Sequence, residues 1–251
     1  MRNVLAFIQG CWLLPRRGKP SLKDGLKSHP FNFCKKGELM NNLLENVIRE
    51  YYFNKEKDYI FFLSKSKKKK ITTESLILRL SPEHFSHLLG CQKLSDMTFT
   101  KHSVVLFNKL YTDLNNQRID TNIDFNNIKN SINFDLIVSR LELLNDFKRL
   151  IVNPEIKLYE YNSNATQIIP TKIVYDYVIE FKDTNCIENC YLFCKKNNLS
   201  SFIIEPVSIF KTKSAYHKGH ICWNVESFYV TQKSYEKKLE ELYLGYPLGY
   251  K

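Results

Sequence analysis

Two stretches far apart in the chain hold side chains that could grip a phosphate and move protons around it. The first, "SPEHFSHLLGCQKLSD", contains His84 and His87, three positions apart and so on roughly one side of a helix, followed by Gly90 and Lys93. The second, "EPVSIFKTKSAYHKGH", gathers Glu205, Ser208, Lys211, Lys213, Tyr216, His217 and His220. Hydroxyls can orient a phosphate, and ammonium groups can stabilise the charge that builds on a phosphorane. Imidazoles, with an ordinary pKa of about 6.5, transfer protons near neutral pH. Each stretch also has a plain structural reading. A histidine on a short apolar helix is commonly core, and a polar run after a strand is commonly a loop beside a sheet edge.

The elements around these stretches can be read from local pattern. Ser81-Pro82-Glu83 is a helix start, with proline at the first position and an acid in the first turn, and Gly90 is the stop. Before it, "DYIFFLS" and "ESLILRL" are strand-like and separated by "KSKKKKITT", which predicts a hairpin with a lysine-rich turn. That lysine run fits a solvated tip, or a contact to phosphates without sequence preference. Arg79, at the end of the second strand, and Lys93 are further candidate substrate-binding cations. "MNNLLENVIREYYF" carries Leu43, Leu44, Val47 and Tyr51 at helical spacing, and residues 102 to 150 look helical, in two stretches joined by an Asn-rich polar link. "EIKLYEY", "TKIVYDYVIEF", "CYLFCKK" and "SSFIIEPVSIF" then alternate like strands, and "SYEKKLEELYL" closes as an amphipathic helix. Helices first and a run of strands later predict an α+β class with an antiparallel sheet of four or so strands. Residues 1–39 read as a loosely ordered basic arm or an upstream extension, and 40–251 as one domain.

Composition narrows the field. The 251 residues are 43% hydrophobic and 14% aromatic, enough to bury a sizeable core. The formal charge of +11 favours an anionic partner, but residues 1–39 hold 8 Lys/Arg against 2 Asp/Glu, so the body is only mildly basic. Seven cysteines without a paired framework, and no convincing secretion signal, point to the cytoplasm and to no stable disulfide. No segment reaches the roughly 18 consecutive apolar residues that spanning a membrane requires, so no membrane partner is expected. Cys186, Cys190 and Cys194 with His217, His220 and Cys222 could supply zinc ligands, but their spacing lacks the tight knuckle of common zinc sites. No metal and no other cofactor is expected. Phosphate-cradling glycine loops, nucleophile elbows and kinase signatures are missing.

At the two phosphate-handling stretches the chain resembles the fourth of the phage-associated Barnase, EndoU, colicin and RelE-like nuclease families. The resemblance rests on Phe85, His87, Leu88 and Gly90, on the strands around "EIKLYEY" and "VYDYVIEF", and on Pro206, Ser208 and Phe210. It implies a compact α+β fold in which helices precede a curved antiparallel sheet of about four to six strands. It also implies RNA as substrate and a phage or mobile-element setting. Under it, His87 becomes the leading proton-transfer residue and Ser208 a phosphate-orienting one. Lys211, Lys213 and Tyr216 come from the chemistry of their loop alone, and His217 or Tyr216 could be the second proton-transfer group. The expected reaction is metal-independent cleavage of RNA, single-stranded or tRNA-like, by attack of the 2′-hydroxyl. A cognate inhibitor protein is a possible partner. The rival expectation is a non-catalytic RNA-binding or protein-interaction module.

Overall fold

The computed structural model describes residues 31–67, 70–153, 155–182, 188–198 and 200–232, with side chains from residue 42 onward. The first helix, α1 (Phe31–Lys55), begins ahead of Met40, inside the stretch read as an arm. Its residues Leu44, Val47, Ile48 and Tyr51 recur three and four apart and are all buried. Each such side chain contributes about 1.5–3 kcal/mol relative to exposure.

Strands β1 (Lys57–Lys67) and β2 (Lys70–Arg79) pair antiparallel along their whole length, so the hairpin read from the sequence is present. Residues 68 and 69 of its lysine-rich turn lie outside the described residues. A helical block follows, comprising α2 (Phe85–Leu89), α3 (Ser103–Asn115), α4 (Ile123–Asn130), α5 (Val138–Asn145) and α6 (Phe147–Ile151). The remaining strands are β3 (Lys157–Glu160), β4 (Tyr177–Phe181), β5 (Asn189–Lys196), β6 (Ile203–Thr212) and β7 (Ile221–Gln232). The closing helix expected at "SYEKKLEELYL" lies outside the described residues.

These strands form a closed barrel in the order β1-β2-β6-β5-β4-β3-β7. The expected α+β fold, with a separate curved sheet of about four to six strands, is therefore not the architecture. Two connections overturn it. β7 pairs with both β3 and β1, and β2 pairs with β6, so the early hairpin and the late strands belong to one sheet. Closure pairs every described strand on both sides over at least part of its length.

Alternation sorts the side chains between two hydrophobic clusters. Inward-facing Phe61, Leu78, Ile179, Leu192, Ile209 and Trp223 join the helices in the main core. On the outer face Tyr159, Val178, Tyr191 and Phe193 form a smaller cluster with Tyr175, against which Ile173, Phe210 and Tyr216 pack.

The β2–β6 seam is the weakest joint. It is the barrel's one parallel pairing and spans two residue pairs, Ile77 with Ile203 and Leu78 with Ile204. Beyond it no described strand pairs with β6 on that side, and helices α2 and α5 lie against β6.

Candidate active site

Helix α2 aims His87 away from the core. Pro82 opens a tight turn, and in the helix that follows Phe85, Leu88 and Leu89 share the buried face. His87, two positions after Phe85, points outward and is exposed. Gly90 ends the helix at φ +89°, a left-handed conformation that glycine adopts without penalty.

Ser208 is aimed by an irregularity in β6. Phe193 pairs with Ser208 and Cys194 with Pro206, so Val207 is left without a partner in a β-bulge. Pro206 has no N–H to donate to a ladder, which favours a break in pairing at that point. Bulges of this kind re-aim neighbouring side chains.

His87 and Ser208 meet at one cleft of about 380 Å³, more than a hundred positions apart in sequence. Gln92, Lys172, Lys195 and Val207 line it with them, and Ile173 and Val174 complete the wall. Among the described residues no Asp or Glu lines it. The cleft therefore presents cations and neutral hydrogen-bonding groups to whatever enters.

Behind Ser208 lies Arg140 of α5, only 5% exposed. Its Nη1 donates to the carbonyl of His87 at 3.0 Å, and its Nη2 donates to Ser208 Oγ at 3.3 Å. Burial lowers its pKa, and among the described residues no carboxylate offsets that. Its Nε is buried without a hydrogen-bond partner among those residues. A desolvated guanidinium with no counter-charge among the described residues projects positive potential toward Ser208, which lines the cleft. Lys93 responds to the same charge: burial first, then Arg140, lowers its pKa. Because Ser208 Oγ accepts from Arg140, its own proton is directed to another acceptor.

The arrangement can bind an oxyanion and place an imidazole beside it. No family model, curated protein or solved structure matches the chain. The geometry therefore carries the functional argument.

The other residues singled out from the sequence lie elsewhere. Arg79 makes a bidentate pair with Asp58 across the β1–β2 ladder, at 2.8 and 2.7 Å, and is structural. Lys211 reaches Glu142 at 3.3 Å, Lys213 is exposed, and Lys93 is exposed just outside the cleft lining. Tyr216 packs on the outer-face cluster. His217 Nδ1 lies 3.1 Å from Glu180 Oε1 and 3.0 Å from Tyr191 Oη, so it is held on the outer face of the barrel. His84 is tied to Ser81 Oγ at 3.1 Å and to Glu205 at 3.6 Å, with its pKa lowered mainly by burial.

Among the described residues no three His, Cys, Asp or Glu side chains gather so as to hold a metal ion, and Cys186 lies outside those residues. None of the described helices is long and apolar enough to cross a membrane.

Sequence reading missed Arg140, Lys172 and Lys195. Arg140 left a usable trace. Ile137, Leu141 and Leu144 mark the apolar stripe of α5, and position 140 falls on that stripe, where an arginine is out of place.

Proposed function

We propose that the cleft binds an RNA phosphodiester and cleaves it without a metal, through attack of the ribose 2′-hydroxyl on the adjacent phosphorus. The observation that supports this reading is the buried Arg140, without a carboxylate partner among the described residues, behind a cleft lined by His87, Ser208, Lys172 and Lys195. Ser208 donates its hydroxyl proton to a phosphate oxygen, while Arg140 orients that hydroxyl and contributes its field. His87 takes the proton from the 2′-hydroxyl as O2′ bonds to phosphorus and the bond to the 5′-oxygen breaks. A lysine ammonium of the cleft, Lys172 or Lys195, protonates the departing oxygen and stabilises the charged intermediate. The products are a 2′,3′-cyclic phosphate and a free 5′-hydroxyl.

The test is incubation of labelled RNA with purified protein in chelator, beside His87→Ala and Ser208→Ala. Cyclic-phosphate products lost in the histidine variant at unchanged melting temperature support the reading. Undiminished cleavage by His87→Ala removes the site assignment.

A second reading, RNA binding without cleavage, draws on one observation. Among the described residues the cleft is lined by a single imidazole, and the two expected partners lie elsewhere, His217 beside Glu180 and Tyr216 on the outer-face cluster. Wild-type protein that binds RNA and leaves it intact decides for this alternative.

A further inference from the structure

The outer face of the barrel carries a second group of side chains with an unusual degree of organisation. Glu180 is buried, and both Tyr159 and Tyr191 donate their hydroxyl protons to it, at 3.0 and 3.1 Å. His217 Nδ1 faces the same carboxylate at 3.1 Å. Tyr191 has one hydroxyl proton and gives it to Glu180, so its oxygen accepts from His217 Nδ1 at 3.0 Å, and Nε2 of that tautomer keeps the ring's lone pair. The ring of His217 stacks on Tyr159, with centroids 5.3 Å apart and planes 24° apart, yet its side chain is 31% exposed. The protein therefore fixes one nitrogen internally and turns the other outward as a hydrogen-bond acceptor.

This group lies on the same surface as the cleft. Tyr191, Phe193 and Lys195 alternate with the inward-facing Leu192 and Cys194 along β5, so they share one face. Tyr191 touches His217, and Lys195 lines the cleft. Four residues of strand at about 3.3 Å each put the two places about 13 Å apart. Ile173 joins them, packing on the outer cluster and also lining the cleft. Near His217 the surface offers half-buried Tyr216 and exposed Tyr161 as ring faces, and exposed Lys213 and Lys218 as cations. Aromatic faces interleaved with ammonium groups suit a single strand, whose bases are free to stack and whose edges are free to hydrogen-bond.

We propose that His217, held by Glu180, is a nucleobase-binding residue of an outlying subsite for single-stranded RNA, accepting a hydrogen bond at Nε2 from a base N–H a few nucleotides from the phosphate in the cleft. This rests on the reading that the cleft holds an RNA phosphodiester. It goes beyond that reading in naming a single strand, extended along β5, as the form of the substrate. His217 belongs to binding and takes no part in the chemical step.

The experiment measures binding apart from cleavage. Fluorescein-labelled 2′-O-methyl oligonucleotides lack the attacking hydroxyl. A two-nucleotide probe fills the cleft alone, and a probe of about ten nucleotides, within the range that one single-strand-binding domain covers, reaches both places. By anisotropy in chelator, His217→Ala is expected to weaken the long probe about tenfold, the size of one lost hydrogen bond, and to leave the short probe unchanged. Glu180→Gln acts in the same direction, and Ser208→Ala weakens both probes. Lys218→Glu changes an exposed residue of the same loop, leaves the core untouched, and should also weaken only the long probe.

Long-probe affinity unchanged in His217→Ala or in Lys218→Glu overturns the subsite, as does equal loss of both probes in His217→Ala. Unmodified RNA of the same sequence tests the other reading. If it stays intact while the long-probe pattern holds, catalysis falls and the subsite stands. A wild-type protein that binds neither probe overturns both.

Discussion

Gly90 and Arg140 share a space that a single methyl group would contest. A Cβ on Gly90 would lie 3.0 Å from Arg140 Cδ and 3.3 Å from its Nε. The glycine thus does two things at once: it adopts φ +89° and leaves room for the guanidinium to reach the carbonyl of His87.

Gly90→Ala should therefore be costly twice over. The left-handed backbone alone costs about 1–2 kcal/mol with a side chain present, and displacing Arg140 adds to it. Urea unfolding should show a loss of about 2 kcal/mol or more, with weaker binding of short oligonucleotides. A variant as stable as wild type, with unchanged binding, contradicts the link between the turn and the arginine.

Arg140→Met separates stability from function. It removes a desolvated charge that lacks a counter-ion among the described residues and keeps most of the volume, so the net change in stability should stay within about 1 kcal/mol. Binding of the two-nucleotide probe should nevertheless fall about tenfold, and the slope of log affinity against log salt should shrink by about 0.7, the single-strand value for one phosphate contact. An unchanged salt slope would mean that Arg140 does not act on the bound phosphate.

Arg79→Met should do the reverse. Asp58 is only 2% exposed, and stripping it of its bidentate partner leaves a buried charge, at a cost of about 3–5 kcal/mol. At a temperature where the variant remains folded, its RNA affinity should match wild type. Selective loss of affinity at preserved stability would restore Arg79 to the substrate-binding set.

Acid should destabilise the fold through two histidines. His84 and His220 both have pKa values lowered from 6.5, chiefly by burial, with Glu205 and Glu83 pulling His84 partly back and His217 pushing His220 further down. Below pH 6.5 the unfolded chain takes up protons that the folded protein resists, so the unfolded state binds more of them. The stability these two contribute is full above about pH 6.5 and drains away as pH falls below it. Urea midpoints measured between pH 7 and pH 5 should drop in wild type and drop less in His84→Gln and His220→Gln. Parallel curves for all three proteins would rule out these residues as the cause.

Two residues of the cleft, His87 and Ser208, could be read from local sequence, but its lysines, its arginine and much of the fold could not. The stop at Gly90, the start at Pro82 and the outward aim of His87 follow from rules that act over a few residues. β7 escaped because its period is broken. Trp223 and Val225 face the main core in step, but the register against β1 shifts between Phe62 and Leu63, and inward-packed Phe228 falls out of the alternation. A two-residue period with a slip in its middle reads as no period. The β2–β6 seam was illegible for another reason: it joins residues 126 positions apart over only two pairs, and no local signal marks such a contact. Ser208 could be named from its segment, but the arginine that orients it comes from a helix read only for its apolar spacing.

The pairing of β1 with β7 carries a consequence for how the protein is made. The ribosome finishes the β1–β2 hairpin about 140 residues before it begins the last strand that covers it. Until β7 emerges, the outer rim of β1, with Tyr59, Phe61 and Leu63 along it, has donors and acceptors waiting for a partner. A nascent chain in that state is open to pairing with the wrong strand or with another nascent chain, and so to aggregation during synthesis. Truncations that end before Ile221 should for that reason accumulate as inclusion bodies, whereas chains that include Gln232 should not.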